Sequence, residues 1–252
     1  MDIAPGGHMK GWMQAAAGGL GGAVLALALV FAGARAGLFP ASNAAIHDYL
    51  MSHPDILIDM TNKLQADQAD AEERERQAAV DKVGLKAYFD PRIAFITGPA
   101  NARTTMVEFF DYNCPYCRGS LPVVKKYYEA HKGDTRFAFI EFPIKGPASS
   151  VAARAAIAAR KQPDKYLAFH FLLMGETDLV DEDLLFDDAR KAGLDVNKLK
   201  ADMETASVGM EIAAAHTLAE ASKIDGTPAF IVNGKVHEGL LQQKTLDKLL
   251  KS

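Results

Sequence analysis

The sequence predicts an α/β domain built on one parallel βαβ unit, with an all-helical insertion and a terminal hairpin. Three observations lead to this prediction. A β-branched and aromatic run at Thr104–Asp111 and an alternating apolar run at Thr135–Phe142 flank a helical stretch that follows two closely spaced cysteines. Helical spacing then extends from about residue 149 to residue 222. Finally, Asn233-Gly234 marks a two-residue turn between two short strands.

The composition limits the function. The chain has 252 residues, a hydrophobic fraction of 49% and a formal net charge of −4, so it can bury a large core and offers no basic field for nucleic acid. Its two cysteines lie at positions 114 and 117. A pair so close in sequence closes almost no loop, and a structural zinc site usually needs four ligands. We therefore expect no metal, and the pair is present either for its chemistry, which would need no cofactor beyond a redox-active disulfide between Cys114 and Cys117, or by accident.

Residues 1–40 contain the most apolar stretch of the chain. Residues 11–34 carry no charged side chain, and this stretch is longer than the ~7–15 residues of a signal-peptide core and close to the ~20 residues of a membrane-spanning helix. The pattern favours an uncleaved membrane anchor at residues 15–36. The alternative is a cleaved signal, because Ala34-Arg35-Ala36 has the small-x-small form of a cleavage site.

Residues 41–86 form a separate helical segment, in which Pro54 is well placed to begin a second helix. Apolar residues recur there at helical spacing, at Ile46, Tyr49, Leu50, Leu57, Met60 and Leu64. Beyond Leu64 the segment is polar and has little to bury. Two interpretations stay open. The segment is either a solvated spacer helix or an oligomerisation element whose apolar stripe is buried between chains.

Residues 87–252 are expected to form one domain, with the helical insertion at about 149–222. Within that insertion the apolar spacing predicts five helices, at Val151–Lys161, Lys165–Met174, Asp181–Lys191, Asp195–Glu204 and Val208–Ser222. A strand at Ala229–Val232, a returning strand at Lys235–Glu238 and a helix at Leu240–Leu250 complete the domain.

The segment Cys114-Pro115-Tyr116-Cys117 opens a helix after a strand, and this position has a chemical consequence. The unpaired N–H groups and the dipole of a helix N-terminus favour an anion, so the pKa of the Cys114 thiol is expected to fall. Cys117 lies one turn further on and can close a small disulfide with it. Pro115 suits the first helical turn, where its missing N–H would be unpaired anyway. The alternative, incidental or metal-binding cysteines, lacks histidines at ligand spacing.

Two further features lie at a distance from the cysteines. Glu108, in an otherwise apolar strand, is either an edge residue or a buried acid with a raised pKa, and we favour the acid, which would move a proton during exchange. Thr227-Pro228 directly precedes a strand. Pro228 is either a proline that only marks the start of the strand, or it forms a cis peptide in a tight turn that faces the cysteines and pairs with an extended substrate.

The run from Val107 to Cys117, followed far downstream by Gly226-Thr227-Pro228-Ala229-Phe230, resembles the DsbA family of bacterial disulfide oxidoreductases over about residues 87–252. The resemblance implies a thioredoxin fold with a helical domain inserted between its two sheet motifs. It also implies the roles of nucleophile, resolving cysteine, buried acid and cis-proline for Cys114, Cys117, Glu108 and Pro228, respectively. The residues expected to meet the substrate are Pro115, Tyr116, Thr227 and Pro228.

The details are similar to a subgroup of that family. Pro-Tyr lies between the cysteines where DsbA has Pro-His, Thr227 precedes the proline where DsbA has valine, and the segment at 41–86 is extra. These features resemble the DsbA-like proteins associated with copper-sensitivity suppression and the surface proteins of the same group. In some of those proteins an N-terminal helical segment forms a trimer, and the activity is disulfide isomerisation or reduction. The resemblance thus implies a homotrimer through residues 41–86 and leaves the direction of electron flow open.

Three functions remain as hypotheses. The first is an oxidase that passes a disulfide to exported proteins, and the second is an oligomeric isomerase or reductase linked to copper tolerance. The third, from another class, is an envelope protein that holds copper(I) between its thiolates. For the first two we expect exported proteins with thiols or disulfides as substrates and a redox partner in the membrane. The expected compartment is the periplasm, where disulfides persist.

Overall fold

The computed structural model describes residues 26–33, 35 and 43–251. It divides the chain into two compact units, residues 1–67 and residues 68–252. The predicted anchor at residues 15–36 falls largely outside the described residues, so it stays a prediction. Within the described residues, no helix has the length and apolar character that crossing a membrane requires.

The described residues of the first unit are helical except His53 and Pro54. Residues 26–33 and 35 are helical, and helix α1 follows at Asn43–Ser52 with no buried residue. Helix α2 extends over Asp55–Val83 and begins one residue after Pro54, as the fixed φ of proline favours. In this unit the large exposed apolar side chains of α1 and of the start of α2 are Ile46, Tyr49, Leu50, Met51, Leu57, Ile58, Met60 and Leu64.

The second unit begins within α2 and contains a five-stranded sheet with helices on both faces. Its further elements are a 3₁₀ helix at Leu85–Phe89, β1 (Phe95–Thr97), β2 (Thr104–Phe110), α3 (Pro115–His131), β3 (Thr135–Glu141), α4 (Pro147–Ala159), α5 (Pro163–Gly175), α6 (Glu182–Lys191), α7 (Val196–Met203), α8 (Ala206–Ala221), β4 (Ala229–Val232), β5 (Lys235–Glu238) and α9 (Gln243–Lys251).

The sheet has the strand order β1-β3-β2-β4-β5. Strands β2 and β3 are parallel and joined by α3, whereas the other neighbouring pairs are antiparallel. The predicted βαβ unit and the helical insertion between β3 and β4 are thus confirmed. The turn at Asn233-Gly234 has positive φ at both residues, 51° and 85°, as a type I′ hairpin requires. Strand β1 and the 3₁₀ helix were not predicted, because each is too short to show a period.

The two faces of the sheet bury two separate apolar clusters. Met106 and Phe110 of β2 pack on one face against α3, α4, α5 and α6, together with both cysteines. Val107 and Phe109 point to the other face, which is covered by α8, the 3₁₀ helix and Val80 at the end of α2. Both faces are apolar because helices cover both, and the polar side chains Thr105 and Glu108 of β2 are therefore buried.

The end of α2 is fastened to the hairpin of the same unit. Gln77 Nε2 donates to the carbonyl of Gly234 at 2.8 Å, and Gln77 Oε1 accepts from the backbone N–H of Val236 at 3.1 Å. The neighbouring Arg76 forms an ion pair with Glu238 at 2.8 Å, in which both side chains are largely buried. These contacts tie residues 68–83 to the edge strand β5.

Gly98 offers a test of the packing between β1 and β3. Its φ is +84°, and a Cβ atom added there would overlap the backbone carbonyl of Thr135. We expect Gly98→Ala to lower the free energy of unfolding by about 2 kcal/mol or more, since strain and overlap combine. Urea denaturation measures the change.

Gly209→Ala is the matched control, because this glycine lies within α8 and an added Cβ would meet nothing within 4 Å. It should raise the free energy of unfolding by up to ~1 kcal/mol through helix propensity. A Gly98→Ala protein as stable as the unchanged chain would contradict the described packing.

Candidate functional site

The two cysteines lie at the start of α3, directly after β2. Cys114 is the N-cap residue, with φ −89° and ψ 118°, and Pro115 is the first helical residue, so Cys117 falls in the first turn. Both are free thiols, and the structure therefore shows the dithiol form. Both are covered by their neighbours, but Cys114 is the less deeply enclosed of the two.

The surroundings of Cys114 favour its thiolate. A hydrogen bond with the Cys117 thiol is the largest influence, and the Thr227 hydroxyl and the backbone N–H groups of Cys117 and Tyr116 add to it. Against the opposing effect of burial, these groups lower the pKa of Cys114 to about 5. The thiol is thus mostly ionised at neutral pH, as the helix start predicts.

Cys117 has the opposite character. Burial is the main cause that raises its pKa, and the bond with Cys114 and the charges of Cys114 and Glu108 raise it further. The backbone N–H of Asp111 lies 3.5 Å from its Sγ and is too weak a donor to reverse this. The two thiols therefore differ strongly in acidity although they are only three residues apart.

The loop before β4 faces Cys114. The Cys114 thiol donates to the carbonyl oxygen of Thr227 at 3.0 Å, and the Thr227–Pro228 peptide bond is cis, as predicted. The Thr227 hydroxyl is buried and has no hydrogen-bond partner among the described residues in the dithiol form. It is thus free to donate to the thiolate when Cys114 ionises. The carbonyl of Pro228 accepts from the N–H of Gly239 at 2.8 Å, which holds the loop against the strand that follows.

Glu108 is a buried acid. It lies in the middle of β2, on the face that carries the cysteines, and 3% of its surface is exposed. Its Oε2 has no hydrogen-bond partner among the described residues. Burial raises its pKa to about 8, so the carboxyl is largely protonated at neutral pH. Its influence on Cys117 places it within electrostatic reach of that thiol.

Tyr116 is the exposed member of the site, with 62% of its surface accessible. The structure thus brings the predicted residues Cys114, Cys117, Thr227 and Pro228 together, with Pro115 and Tyr116 in the same turn and Glu108 in the adjacent strand. Their roles in catalysis and substrate binding stay predictions.

Arg118 is a site residue that the sequence did not reveal. Its guanidinium donates to four oxygens on two separate segments. They are the Tyr112 carbonyl at 2.9 Å, Asn113 Oδ1 at 3.2 Å, the Thr177 carbonyl at 3.0 Å and the Asp178 carbonyl at 2.7 Å. Asn113 Oδ1 also accepts from the N–H of Val180 at 2.9 Å. The loop between α5 and α6 is thereby tied to the residues that precede Cys114.

A buried polar cluster beneath the site was also missed. It consists of Tyr112, Glu141, Arg160, Tyr166 and His170. Tyr112 and His170 share a hydrogen bond of 3.0 Å, and the Tyr166 hydroxyl donates to Glu141 at 2.8 Å. The signal available in the sequence was Glu141, which ends an apolar strand much as Glu108 interrupts one. The remaining members come from the helical insertion and show no local pattern.

The site contains groups for thiol chemistry. A nucleophile with a low pKa, a second thiol with a high pKa and a protonated carboxyl are what thiol–disulfide exchange needs. Across the described ranges, no group of three or more histidine, cysteine or acidic side chains is arranged to hold a metal ion.

Two family models match the chain. Residues 105–251, more than half of the chain, match the DSBA-like thioredoxin domain. Residues 43–71 match the N-terminal domain of the copper resistance protein ScsC. The first match spans β2 to α9 and so contains every predicted site residue.

Curated relatives include proteins of two kinds. Disulfide bond formation protein D of Bacillus subtilis is 29% identical over 62% of this chain and 77% of its own length. The Na(+)/H(+) antiporter NhaA 3 of Salinispora tropica is 30% identical over 62% of this chain and 24% of its own length. The chain thus spans about a quarter of the antiporters that it matches.

Solved structures show the same fold. A thioredoxin-like oxidoreductase from Silicibacter pomeroyi is 38% identical with a TM-score of 0.61, and the match covers 67% of this chain and 96% of that one. ScsC of Proteus mirabilis in a transitional conformation is 28% identical with a TM-score of 0.61, over 82% and 93%. A periplasmic thioredoxin-like protein from Salmonella enterica serovar Typhimurium is 29% identical with a TM-score of 0.55, over 66% and 92%.

Thr227 permits a test of the thiolate. We expect the pKa of Cys114, about 5 in the unchanged chain, to rise by about one unit in Thr227→Val, because a hydrogen bond to a charged group is lost. The fraction ionised at a given pH between 5 and 6 falls accordingly. The ultraviolet absorbance of the thiolate, followed against pH in the reduced protein, measures the midpoint.

Thr217→Val serves as the control, because that hydroxyl is on the exposed side of α8 and bonds only its own helix, at the Ala213 carbonyl. Its midpoint should equal that of the unchanged chain. If Thr227→Val also leaves the midpoint in place, the hydroxyl does not stabilise the thiolate.

Proposed function

Because this chain belongs to the family of DSBA-like thioredoxin domains, which are thiol–disulfide oxidoreductases, we propose that it exchanges disulfides with exported proteins through Cys114 and Cys117. The observation that carries the proposal is the difference in acidity between the two thiols. Cys114 is stabilised as a thiolate and Cys117 as a thiol, in one helical turn beside the Thr227 carbonyl.

In the first step a substrate thiolate attacks Cys114 Sγ of the Cys114–Cys117 disulfide. A substrate–Cys114 disulfide forms, the bond between the two enzyme sulfurs breaks, and the electron pair leaves on Cys117. Cys117 takes the proton of Glu108, since burial makes its thiolate unfavourable and the carboxyl is protonated at neutral pH. Glu108 later regains a proton from solvent.

In the second step another thiolate of the substrate attacks the substrate sulfur of the mixed disulfide. The substrate disulfide forms and Cys114 leaves as a thiolate, which its surroundings stabilise. The substrate has then lost two electrons and the enzyme cysteines have gained them. A sulfur with a low pKa is a good leaving group, so this step is fast.

The direction of exchange follows from the same stabilisation. Groups that favour the Cys114 thiolate stabilise the reduced enzyme, and a stabilised reduced form makes the disulfide a stronger oxidant. This favours the oxidase over the reductase.

We place the reaction in the periplasm, where disulfides persist, with the chain attached by residues 15–36 or released after cleavage. A membrane redox partner would reoxidise Cys114 and Cys117.

Two substitutions test the exchange reaction. Cys114→Ser should reduce the oxidation of a reduced, unfolded substrate protein to the uncatalysed rate, because no Cys114–Cys117 disulfide can form. With a substrate that already carries a disulfide, Cys117→Ser should form a mixed disulfide, because the Cys114 thiolate attacks one substrate sulfur and the other leaves as a thiolate, but it should not complete a cycle. Substrate thiols are counted over time, and mixed disulfides are detected by mass.

The equilibrium of the Cys114–Cys117 couple with glutathione decides the direction. A potential near the oxidising end of the range, closer to about −120 mV than to about −270 mV, supports the oxidase. A thioredoxin-like potential, near about −270 mV, would contradict the oxidase hypothesis. Undiminished exchange by Cys114→Ser would overturn the whole proposal.

A second candidate is an oligomeric isomerase linked to copper tolerance. The match of residues 43–71 to the ScsC N-terminal domain favours it, as does the row of exposed apolar side chains in α1 and the start of α2. Three copies with these faces buried against one another would bring several dithiols to one substrate. The remaining alternative, a copper(I)-binding envelope protein, requires stoichiometric copper without turnover.

Sedimentation equilibrium of the full chain tests the trimer. We expect three times the monomer mass, and we expect monomers when Leu57 and Leu64, which are 71% and 58% exposed, are both replaced by Lys, since charges would have to be buried. The control places Lys at Gln65 and Gln68, which lie in the polar part of α2. A monomeric unchanged chain would remove the structural support for the isomerase.

A further inference from the structure

The sheet face beneath the cysteines carries a second buried carboxyl group. In the parallel pairing of β2 and β3, Glu108 lies opposite Phe139 and Phe110 lies opposite Glu141. Side chains two residues apart in a strand share a face, so Glu108 and Glu141 are diagonal neighbours on one side of the sheet. Glu141 exposes 1% of its surface and Glu108 exposes 3%.

The two carboxyl groups differ in their partners. Glu141 forms a buried ion pair with Arg160, which follows α4, and accepts a hydrogen bond from Tyr166 at 2.8 Å. Arg160 also donates to the Ile93 carbonyl at 3.1 Å and lies 3.4 Å from Glu211 at the surface. Burial lowers the pKa of Arg160, but a guanidinium keeps its charge in proteins. Glu108 Oε2, by contrast, has no partner among the described residues.

The groups around Glu108 come from every element that packs on this face. They are Cys117 of α3, Tyr112 and Asp111 after β2, Tyr166 and His170 of α5, Glu141 of β3 and Arg160 after α4, while β4 places Phe230 opposite Glu108. Asp111 is bound by the backbone N–H groups of Asn113, Ile144 and Lys145.

The charged groups near the two tyrosines include the ion pair and Arg118, which donates to the Tyr112 carbonyl. Burial raises the pKa of Tyr112 and of Tyr166 and lowers that of His170 to about 3, so all three are neutral near pH 7. The charge of Arg160 lowers the pKa of both tyrosines and that of ionised Glu108 raises it. The two tyrosines therefore lie within electrostatic reach of both the ion pair and Glu108. Burial is the cause of the raised pKa of Glu108.

We propose that the buried Glu141–Arg160 ion pair is a positioning element for the proton of Glu108. Its balanced charges keep the Glu108 carboxyl protonated in the resting enzyme and ready to supply Cys117. This inference deepens the proposed function and rests on the role of Glu108 in it. Glu141 of β3 thereby offsets the charge that Arg160, from the helical insertion, brings to this face of the sheet.

Glu141→Gln tests the pair, because it removes the negative charge while its side chain can still accept from Tyr166. The unbalanced charge of Arg160 should then favour ionised Glu108. We expect the midpoint of Glu108, about 8 in the unchanged chain, to fall by about one pH unit. The reason is that Arg160, which lies against the diagonal neighbour of Glu108, would then carry an uncompensated positive charge in the protein interior. The readout is the carboxyl carbon resonance of Glu108 in the reduced full chain labelled with [¹³C]glutamate.

Three further variants make the result specific. Glu108→Gln identifies the resonance. Glu211→Gln removes a carboxylate beside the same Arg160 at a partly exposed position, so its shift should be about a third of that of Glu141→Gln or less, owing to solvent screening. The double variant Glu141→Gln with Arg160→Gln restores neutrality and should return the midpoint towards that of the unchanged chain.

An unmoved Glu108 midpoint in Glu141→Gln, or an equal shift in Glu211→Gln, would overturn the inference even if the double variant does not fold. Cys114 is ionised throughout the titration of Glu108, so its charge is constant across the comparison. The proposed function fails by a separate measurement, namely if Glu108→Gln exchanges disulfides at the rate of the unchanged chain. In that case a shifted resonance in Glu141→Gln would still establish the electrostatic link.

Discussion

The contact between the Cys114 thiol and the Thr227 carbonyl is the interaction on which the site depends. It joins two residues 113 positions apart, at 3.0 Å. The antiparallel pairing of β2 with β4 makes this possible, because Cys114 follows the end of β2 and Thr227 precedes the start of β4. The sheet thus brings a helix N-terminus and a backbone acceptor to the same sulfur. The helix start and the Thr227 hydroxyl favour the thiolate, whereas the Thr227 carbonyl accepts from the thiol form, and one register of two strands brings all three to Cys114.

Local signals in the sequence were sufficient for much of this arrangement. The strand before Cys114, the helix after it and the hairpin at Asn233-Gly234 each have short-range patterns that reflect backbone geometry. Glu108 stood out because a carboxyl is costly in an apolar strand. By contrast, β1 has three residues, too few for a period, and Arg118 looks like any exposed helical residue. Its partners Thr177 and Asp178 are brought near only by tertiary folding.

The helical insertion is more than a cover for one face of the sheet. It supplies Tyr166, His170 and Arg160 to the polar cluster below the cysteines, and its loop between α5 and α6 accepts the hydrogen bonds of Arg118. Buried polar groups of this kind cost free energy unless they are paired. Most of them have partners here, whereas Glu108 Oε2, beneath the dithiol, has none among the residues that the structure describes. The reactive centre is thus built jointly by the βαβ unit and the insertion.

The two hydrogen bonds of Gln77 cover part of an edge strand to which the extended substrates proposed for this chain could otherwise add. Strand β5 is an edge, and an edge strand presents free N–H and carbonyl groups to which another extended chain can add. Unfolded polypeptides are rich in such extended segments. The amide of Gln77 occupies the Gly234 carbonyl and the Val236 N–H, much as a neighbouring strand would. This part of the edge is thereby closed to the addition of extended chains such as the proposed substrates.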